Sequence, residues 1–206
     1  MKLLLATHNP NKVIELKALL TGHPEIDVLT LDDLGITDEP EETETTFVGN
    51  ATLKARWAME RSGLISLADD SGLEIDALNG EPGVYSARYL GKDTPYTQKN
   101  AIILERMSPV SDRRARFVSV VAIAYPKSMH NEGDTDIIVS EGIMEGSIGY
   151  EALGSNGFGY DPIFIPQGHA LTYAQLTTDV KNNVSHRGQA FRKAVRVLIE
   201  GESHAL

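Results

Sequence analysis

The run from Ala115 to Tyr125 constrains this chain more than any other stretch. It is long and strongly β-forming, and so predicts a central strand against which the other elements must be arranged. Lys2 to Ala6 predicts a buried first strand, and Val13, Leu16, Leu19 and Leu20 fall on one face of the helix that follows. Ile26 to Leu29 predicts a second strand. Phe47, Ala51, Ala55, Ala58 and Met59 form the apolar face of a helix opening near Thr45 or Thr46 and stopping at Gly63. Leu64, Ile65, Leu67 and Ala68 predict a short buried strand closed by a turn at Ser71-Gly72, with Leu73 to Ile75 as another. Thr94 to Met107 predicts a helix with Ala101, Ile102, Leu104 and Met107 in the core. Ile137, Ile138 and Val139 return after a polar hairpin loop over 126–135, and a last helix carries Phe191, Ala194, Val195, Leu198 and Ile199. Strands alternating with helices around a β-rich middle imply an α/β chain, with a mixed central sheet flanked by helices and two lobes around a cleft. No repeat or linker interrupts it, so one domain over residues 1–206 is expected.

Composition removes several function classes. There is no cysteine, hence no disulfide framework, thiolate nucleophile or zinc-thiolate site, and any metal must sit on oxygen or histidine. Oxygen ligands favour magnesium or manganese. The formal charge of -10 argues against holding nucleic acid through a broad basic surface. No apolar run is long enough to cross a bilayer, and Lys2 to Ala6 is too short for a secretory signal, so a cytoplasmic protein with no membrane partner is expected. The acidity is uneven: Asp32, Asp33, Asp38, Glu39, Glu41, Glu42 and Glu44 follow one another without a basic residue. An acidic protein that handles an anion needs concentrated cations or a divalent metal to do so.

Four stretches carry chemistry. Thr7-His8-Asn9-Pro10-Asn11-Lys12 joins a strand to a helix N-terminus, where unpaired backbone N–H groups and the helix dipole suit a phosphate and Lys12 adds a cation. It contains no glycine and is not a Walker loop. Asp69 and Asp70 sit at a strand end, and alternation along an extended chain sends them to opposite sides, so they should not share one task. In Gly157-Phe158-Gly159-Tyr160-Asp161 the glycines let the backbone approach a flat ligand and leave the ring available for stacking. Lys181 precedes Ser185, an expected helix N-cap, which puts His186 and Arg187 in a first turn where helices prefer acidic residues. Taken singly, each stretch also reads as an ordinary capped helix, solvated turn or structural histidine.

Taken together they are more specific. Residues 7–15, Glu42-Thr43-Glu44-Thr45-Thr46-Phe47, Ala68-Asp69-Asp70-Ser71-Gly72-Leu73, Tyr85-Ser86-Ala87-Arg88, the segment from Gly157 to Pro162 and Ser185-His186-Arg187 occur in family order. The set resembles the inosine triphosphate pyrophosphatase family, also called XTP/dITP diphosphatases, from residue 3 to about residue 199. The resemblance implies an inosine triphosphatase-like fold with a nucleotide-binding cleft. It also implies a magnesium-dependent hydrolase that cuts dITP, ITP and XTP between the α- and β-phosphates. Carried over position by position, Thr7, His8, Asn9, Pro10, Asn11 and Lys12 bind the triphosphate. Asp70 is the proton acceptor and a metal ligand, Ser71 lies beside the substrate, and Glu42 is the second metal carboxylate with Glu41 the fallback. Phe158, Gly159, Tyr160, Asp161, Lys181, His186 and Arg187 are the base- and phosphate-side residues. A homodimer is implied by resemblance alone.

Two positions depart from the pattern: His8 stands where glycine is common, and Gly154-Ser155-Asn156-Gly157 replaces a threonine-glycine version. His8 would crowd the phosphate site or add a donor to it. The competing readings are a pyrophosphatase for other modified or pyrimidine nucleotides, a non-catalytic nucleotide-binding protein, and a nucleic-acid-binding module, which the negative charge disfavours.

Overall fold

The computed structural model describes residues 1–129 and 136–200. His130 to Thr135, the tip of the expected hairpin loop, lie outside the described residues. Six strands form one mixed sheet: β1 (Lys2–Leu5), β2 (Asp27–Thr30), β3 (Ile65–Ile75), β4 (Arg114–Ala124), β5 (Ile137–Ile148) and β6 (Phe164–Pro166), in the order β2-β1-β3-β4-β5-β6. β1 is parallel to β2 and β3, and β5 and β6 are antiparallel. The described residues include the helices α1 (Pro10–Leu20), α2 (Phe47–Ser62), α3 (Tyr96–Met107), α4 (Thr178–Val184) and α5 (His186–Glu200). None of the described helices is long and apolar enough to cross a membrane.

The chain divides into two compact units. The first holds Met1–Asp70, Ser119–Glu141 and the described residues from Gly188 onward; the second holds Ser71–Val118 and Gly142–Arg187. In the first unit the period-2 geometry of strands sorts side chains to two faces. Leu3, Leu5, Leu67, Val121 and Ile123 pack with Leu16 and Leu20 of α1 and Phe191, Ala194 and Leu198 of α5. Their sequence neighbours Leu4, Ala6, Ala68, Val120, Ala122 and Ala124 pack with Ala51, Ala55 and Ala58 of α2. Alanines on both partners of this second face leave no bulk to hold the helix off the strands. Thr46 caps α2, its side chain accepting from the Gly49 N–H.

The second unit is built on Leu73 and Ile75 of β3, Ile103 and Met107 of α3, Ala115 and Phe117 of β4, and Ile148, Ile163, Phe164 and Tyr173. Phe117 meets Phe164 edge-on at 4.8 Å and lies flat on His186 at 4.5 Å.

Two expectations are corrected, and one helix is added to them. Ser71-Gly72 is not a turn: β3 runs unbroken from Ile65 to Ile75, and Gly72 is buried within it. The core face of α3 carries Lys99, Asn100, Ile103 and Met107, whereas Ala101 is exposed. Two polar residues on the buried side shift the apparent apolar phase. Lys181 lies on a short helix of its own, α4, capped by the Thr177 hydroxyl that accepts from Val180 N–H.

Gly146 of β5 sits opposite Pro166, where a Cβ would lie 2.3 Å from the Ile165 carbonyl oxygen and 2.6 Å from the Phe164 ring. Gly146→Ala should therefore destabilise the fold by about 1–3 kcal/mol, measured as a lower urea midpoint; an unchanged midpoint would remove this close approach as a requirement.

Candidate active site

β3 places two carboxylates in succession, and the two-face geometry of the first unit decides their partners. Asp69 follows the side that packs on α1 and α5, and its carboxylate takes the Lys12 ammonium of α1 at 2.9 Å. Lys12 also lies 3.4 Å from the Asp69 carbonyl oxygen. Asp70 follows the α2 side, accepting from Lys54 Nζ at 2.9 Å and from Asn50 Nδ2 at 3.3 Å. The two neighbours thus make their close contacts with different lysines, as alternation leads one to expect.

Lys54 joins Asp70 to the acidic loop, because its ammonium also donates to Glu42 at 2.8 Å. Asn50 fastens that loop from the other end, its Oδ1 accepting from the Glu44 N–H at 3.1 Å. Glu41 is exposed and Glu42 is half-buried, so Glu42 is the carboxylate that meets Asp70 through one lysine. Burial pushes the Asp70 carboxyl up; Lys54 and Lys12 pull it down, Glu42 pushes the same way as burial, and the balance is above the ordinary value. For Lys54, burial opposes the charge, but Asp70, Glu42 and Asp69 outweigh it and hold the ammonium above its ordinary value.

These groups bear on metal binding. Among the described residues no three His, Asp or Glu side chains gather in a metal-binding group. Glu42 and Asp70 nevertheless converge on a single cationic point, and Asp70 is under-compensated there. That donor set fits magnesium, which is commonly held by one or two carboxylates with waters and substrate phosphates completing its shell.

The turn before α1 differs from expectation. Its amides are already used: Asn9 Oδ1 accepts from the Asn11 and Lys12 N–H groups at 3.0 and 3.3 Å, Asn9 carbonyl from Val13, and Thr7 Oγ1 from Asn9 N–H. Pro10 has no N–H to offer. The attraction for an anion there comes from Lys12 and the helix dipole, with the capping amides committed to Asn9. His8 turns to the acidic loop: its Nδ1 is 3.1 Å from Asp32, its backbone N–H donates to Glu39, and its Nε2 is buried without a hydrogen-bond partner among the described residues.

The second unit assembles the remaining candidates. Asp161 Oδ2 accepts from Phe158 N–H at 2.8 Å and from Lys181 Nζ at 2.7 Å, with both charged residues buried. A Cβ on Gly157 would fall 2.1 Å from that same oxygen, so only glycine admits the contact. The Phe158 ring has cations beside it: Lys181 Nζ lies 5.2 Å and the Arg187 guanidinium 5.3 Å from its centre. Arg187 donates to Ser71 Oγ at 2.9 Å. His186 is buried with its ring nearly parallel to Phe117, at 6°. Gly159 and Tyr160 extend the Phe158 loop, Tyr160 donating its hydroxyl to the Ser86 carbonyl at 2.8 Å. The Arg88 guanidinium lies 4.9 Å from the Tyr85 ring centre.

Sequence reasoning missed Lys54 and Asn50. The available signal was their one-turn spacing beside the Ala51 and Ala55 positions, which puts both on the side of α2 that faces the strands.

The chain is 45% identical over 201 residues to a Caulobacter vibrioides protein named dITP/XTP pyrophosphatase, with 97% of this chain and 98% of the relative covered. It is 48% identical over 193 residues to an Exiguobacterium protein of the same name, with 94% of each covered. Among solved structures, a HAM1 protein from Coxiella burnetii superposes with a TM-score of 0.85 at 42% identity, over 98% of this chain and 100% of that one. The Staphylococcus aureus Ham1 protein does so with a TM-score of 0.84 at 36% identity, over the same shares. The Ham1 family model matches residues 3–197, and the chain belongs to the Ham1 family.

Proposed function

We propose that this chain hydrolyses the deaminated purine nucleoside triphosphates dITP, ITP and XTP to the nucleoside monophosphate and pyrophosphate. The observation that carries the reading is the meeting of Asp70 and Glu42 on Lys54, one residue before Ser71 in β3. Relatives of nearly equal length named dITP/XTP pyrophosphatase support it.

In the proposed reaction a water oxygen bonds to the α-phosphorus, the bond from that phosphorus to the α,β-bridging oxygen breaks, and pyrophosphate leaves with the bond's electrons. Asp70 takes the proton from the water, and a carboxylate held above its ordinary value by burial is a better acceptor than an exposed one. Lys12, oriented by Asp69, neutralises phosphate charge before attack. Asp70 and Glu42 would hold magnesium, which when bound supplies further neutralisation and polarises the phosphoryl group.

Base choice is a matter of hydrogen bonding. Hypoxanthine and xanthine present a 6-keto acceptor where adenine presents an amino donor. His186 and Arg187 would donate to the keto oxygen, while Phe158, held by Asp161 and flanked by Lys181, would stack on the base. Adenine would leave buried donors unpaired, at about 1–3 kcal/mol each, which is roughly 5- to 150-fold per donor.

Product analysis with dITP, XTP, dATP and dGTP, with magnesium and with a chelator, tests the whole reading. Pyrophosphate should leave dITP and XTP far faster than dATP, and the chelator should abolish release; stepwise release of orthophosphate would overturn the assignment. Asp70→Asn should lower kcat by roughly 10²- to 10⁴-fold, the range for a lost general base, while calorimetry with a non-hydrolysable dITP analogue still reports binding. Near-normal turnover in that variant would remove Asp70 from the chemistry. His186→Ala should narrow the ratio of dITP to dATP turnover by roughly 5- to 150-fold, and a constant ratio would sink the base-reading role.

A further inference from the structure

The start of α3 buries polar side chains where an amphipathic helix would bury apolar ones. Lys99 is 1% exposed and Asn100 4% exposed, on the same side of the helix as Ile103 and Met107. Each reaches a different backbone segment of the second unit. Lys99 Nζ donates to the Ala87 carbonyl at 2.7 Å and lies 4.8 Å from the Tyr96 ring centre. Asn100 Nδ2 donates to the Gly159 carbonyl at 3.1 Å. One turn earlier Tyr96 meets Tyr160 edge-on at 5.2 Å. Tyr160 in turn donates to the carbonyl of Ser86, the residue before Ala87.

These contacts are dear in solvation terms. Burial alone pushes Lys99 below its ordinary value, and Asn100 Oδ1 is buried with no hydrogen-bond partner among the described residues. A leucine would fill the Asn100 position without an orphaned acceptor, so stability alone does not account for an amide there. What the amide supplies is a donor to Gly159, a residue at φ +69° between Phe158 and Tyr160. The Phe158 end of this loop is fixed by the Asp161 carboxylate and the Asp161 N–H returns to the Phe158 carbonyl at 3.3 Å. Asn100 holds the carbonyl at the loop's middle.

We propose that Asn100 is a positioning residue, which through the Gly159 carbonyl sets where the Phe158 ring sits and thereby tunes discrimination between bases. The specificity part rests on Phe158 as the base-stacking residue of the proposed function; the positioning part does not. A stacking ring displaced by a fraction of its van der Waals radius no longer presents base and hydrogen-bond donors in register, which lowers binding of the favoured base more than that of a poorly bound one.

Two measurements decide it, made on the full chain with Asn100→Leu, Asn100→Ala and the control Met107→Leu, which alters the same buried side of α3 about two turns further on and removes no hydrogen bond to the Gly159 carbonyl. Amide hydrogen exchange in the ligand-free protein should quicken at Phe158 and Asp161 by about fivefold, the worth of one buried hydrogen bond, in both Asn100 variants and not in the control. With dITP the Asn100 variants should raise KM with kcat within about twofold, and the ratio of dITP to dATP in kcat/KM should fall by about fivefold. Unchanged exchange at the two amides, or a loss confined to kcat with the ratio intact, overturns the proposal. If Asn100→Leu does not fold, Asn100→Ala carries both measurements. A wild-type protein that releases no pyrophosphate from any of these nucleotides defeats the proposed function instead, and the exchange result then decides the positioning role by itself.

Discussion

The alternation of side chains along β3 is the constraint on which the first unit depends. One strand supplies Leu67 to the α1–α5 side and Ala68 to the α2 side, and the same geometry then delivers Asp69 and Asp70 to those sides in turn. Because each helix brings its own lysine, Lys12 from α1 and Lys54 from α2, adjacent carboxylates are neutralised separately. Two buried carboxylates pointing the same way would repel, and one would have to stay protonated. A one-residue slip of β3 against β1, where Leu5 now pairs with Leu67, would exchange both the core faces and the two charges. Packing and chemistry are therefore specified by a single register.

The second unit solves a comparable problem with a loop. Asp161 and Lys181 are both buried, and a buried pair is tolerated when the carboxylate's remaining lone pairs are used. The Phe158 N–H does this, tying the aromatic ring to the ion pair. Gly157 makes the arrangement possible, since any side chain there would occupy the Asp161 oxygen's place. The ring, the ion pair and the glycine thus stand or fall as a group, which explains why a short loop can present a definite surface.

What sequence could show follows from the range of the forces involved. Strong periodicity was legible: the expected Ala115–Tyr125 strand is β4 within a residue at each end, and the alanine stripe of α2 was read correctly with its Gly63 stop. Ser71-Gly72 misled because serine-glycine is a turn signal locally, and only pairing within a sheet keeps it extended. α4 escaped notice because a seven-residue helix has too little pattern to distinguish it from a loop. At the candidate site, the residue types at positions 42, 69, 70, 161, 181, 186 and 187 were visible, but their pairings were not. That Lys54 joins Glu42 to Asp70 depends on folding the acidic loop back over α2, a contact that no local spacing encodes.

The charge balance gives these pairings a common sense. A chain of net charge -10 has little general attraction for a polyanion. Three of its lysines are each held in place by carboxylates: Lys12 by Asp69, Lys54 by Asp70 and Glu42, Lys181 by Asp161. In the proposed function an incoming phosphate would meet a Lys12 already oriented by Asp69, with less rotamer freedom left to lose than at a flexible surface cation. On the other side of β3, burial and Glu42 keep Asp70 above its ordinary value even with Lys54 in contact. In the proposed function a divalent cation held by Asp70 and Glu42 would add the positive charge that a chain of net charge -10 does not present as a broad basic surface.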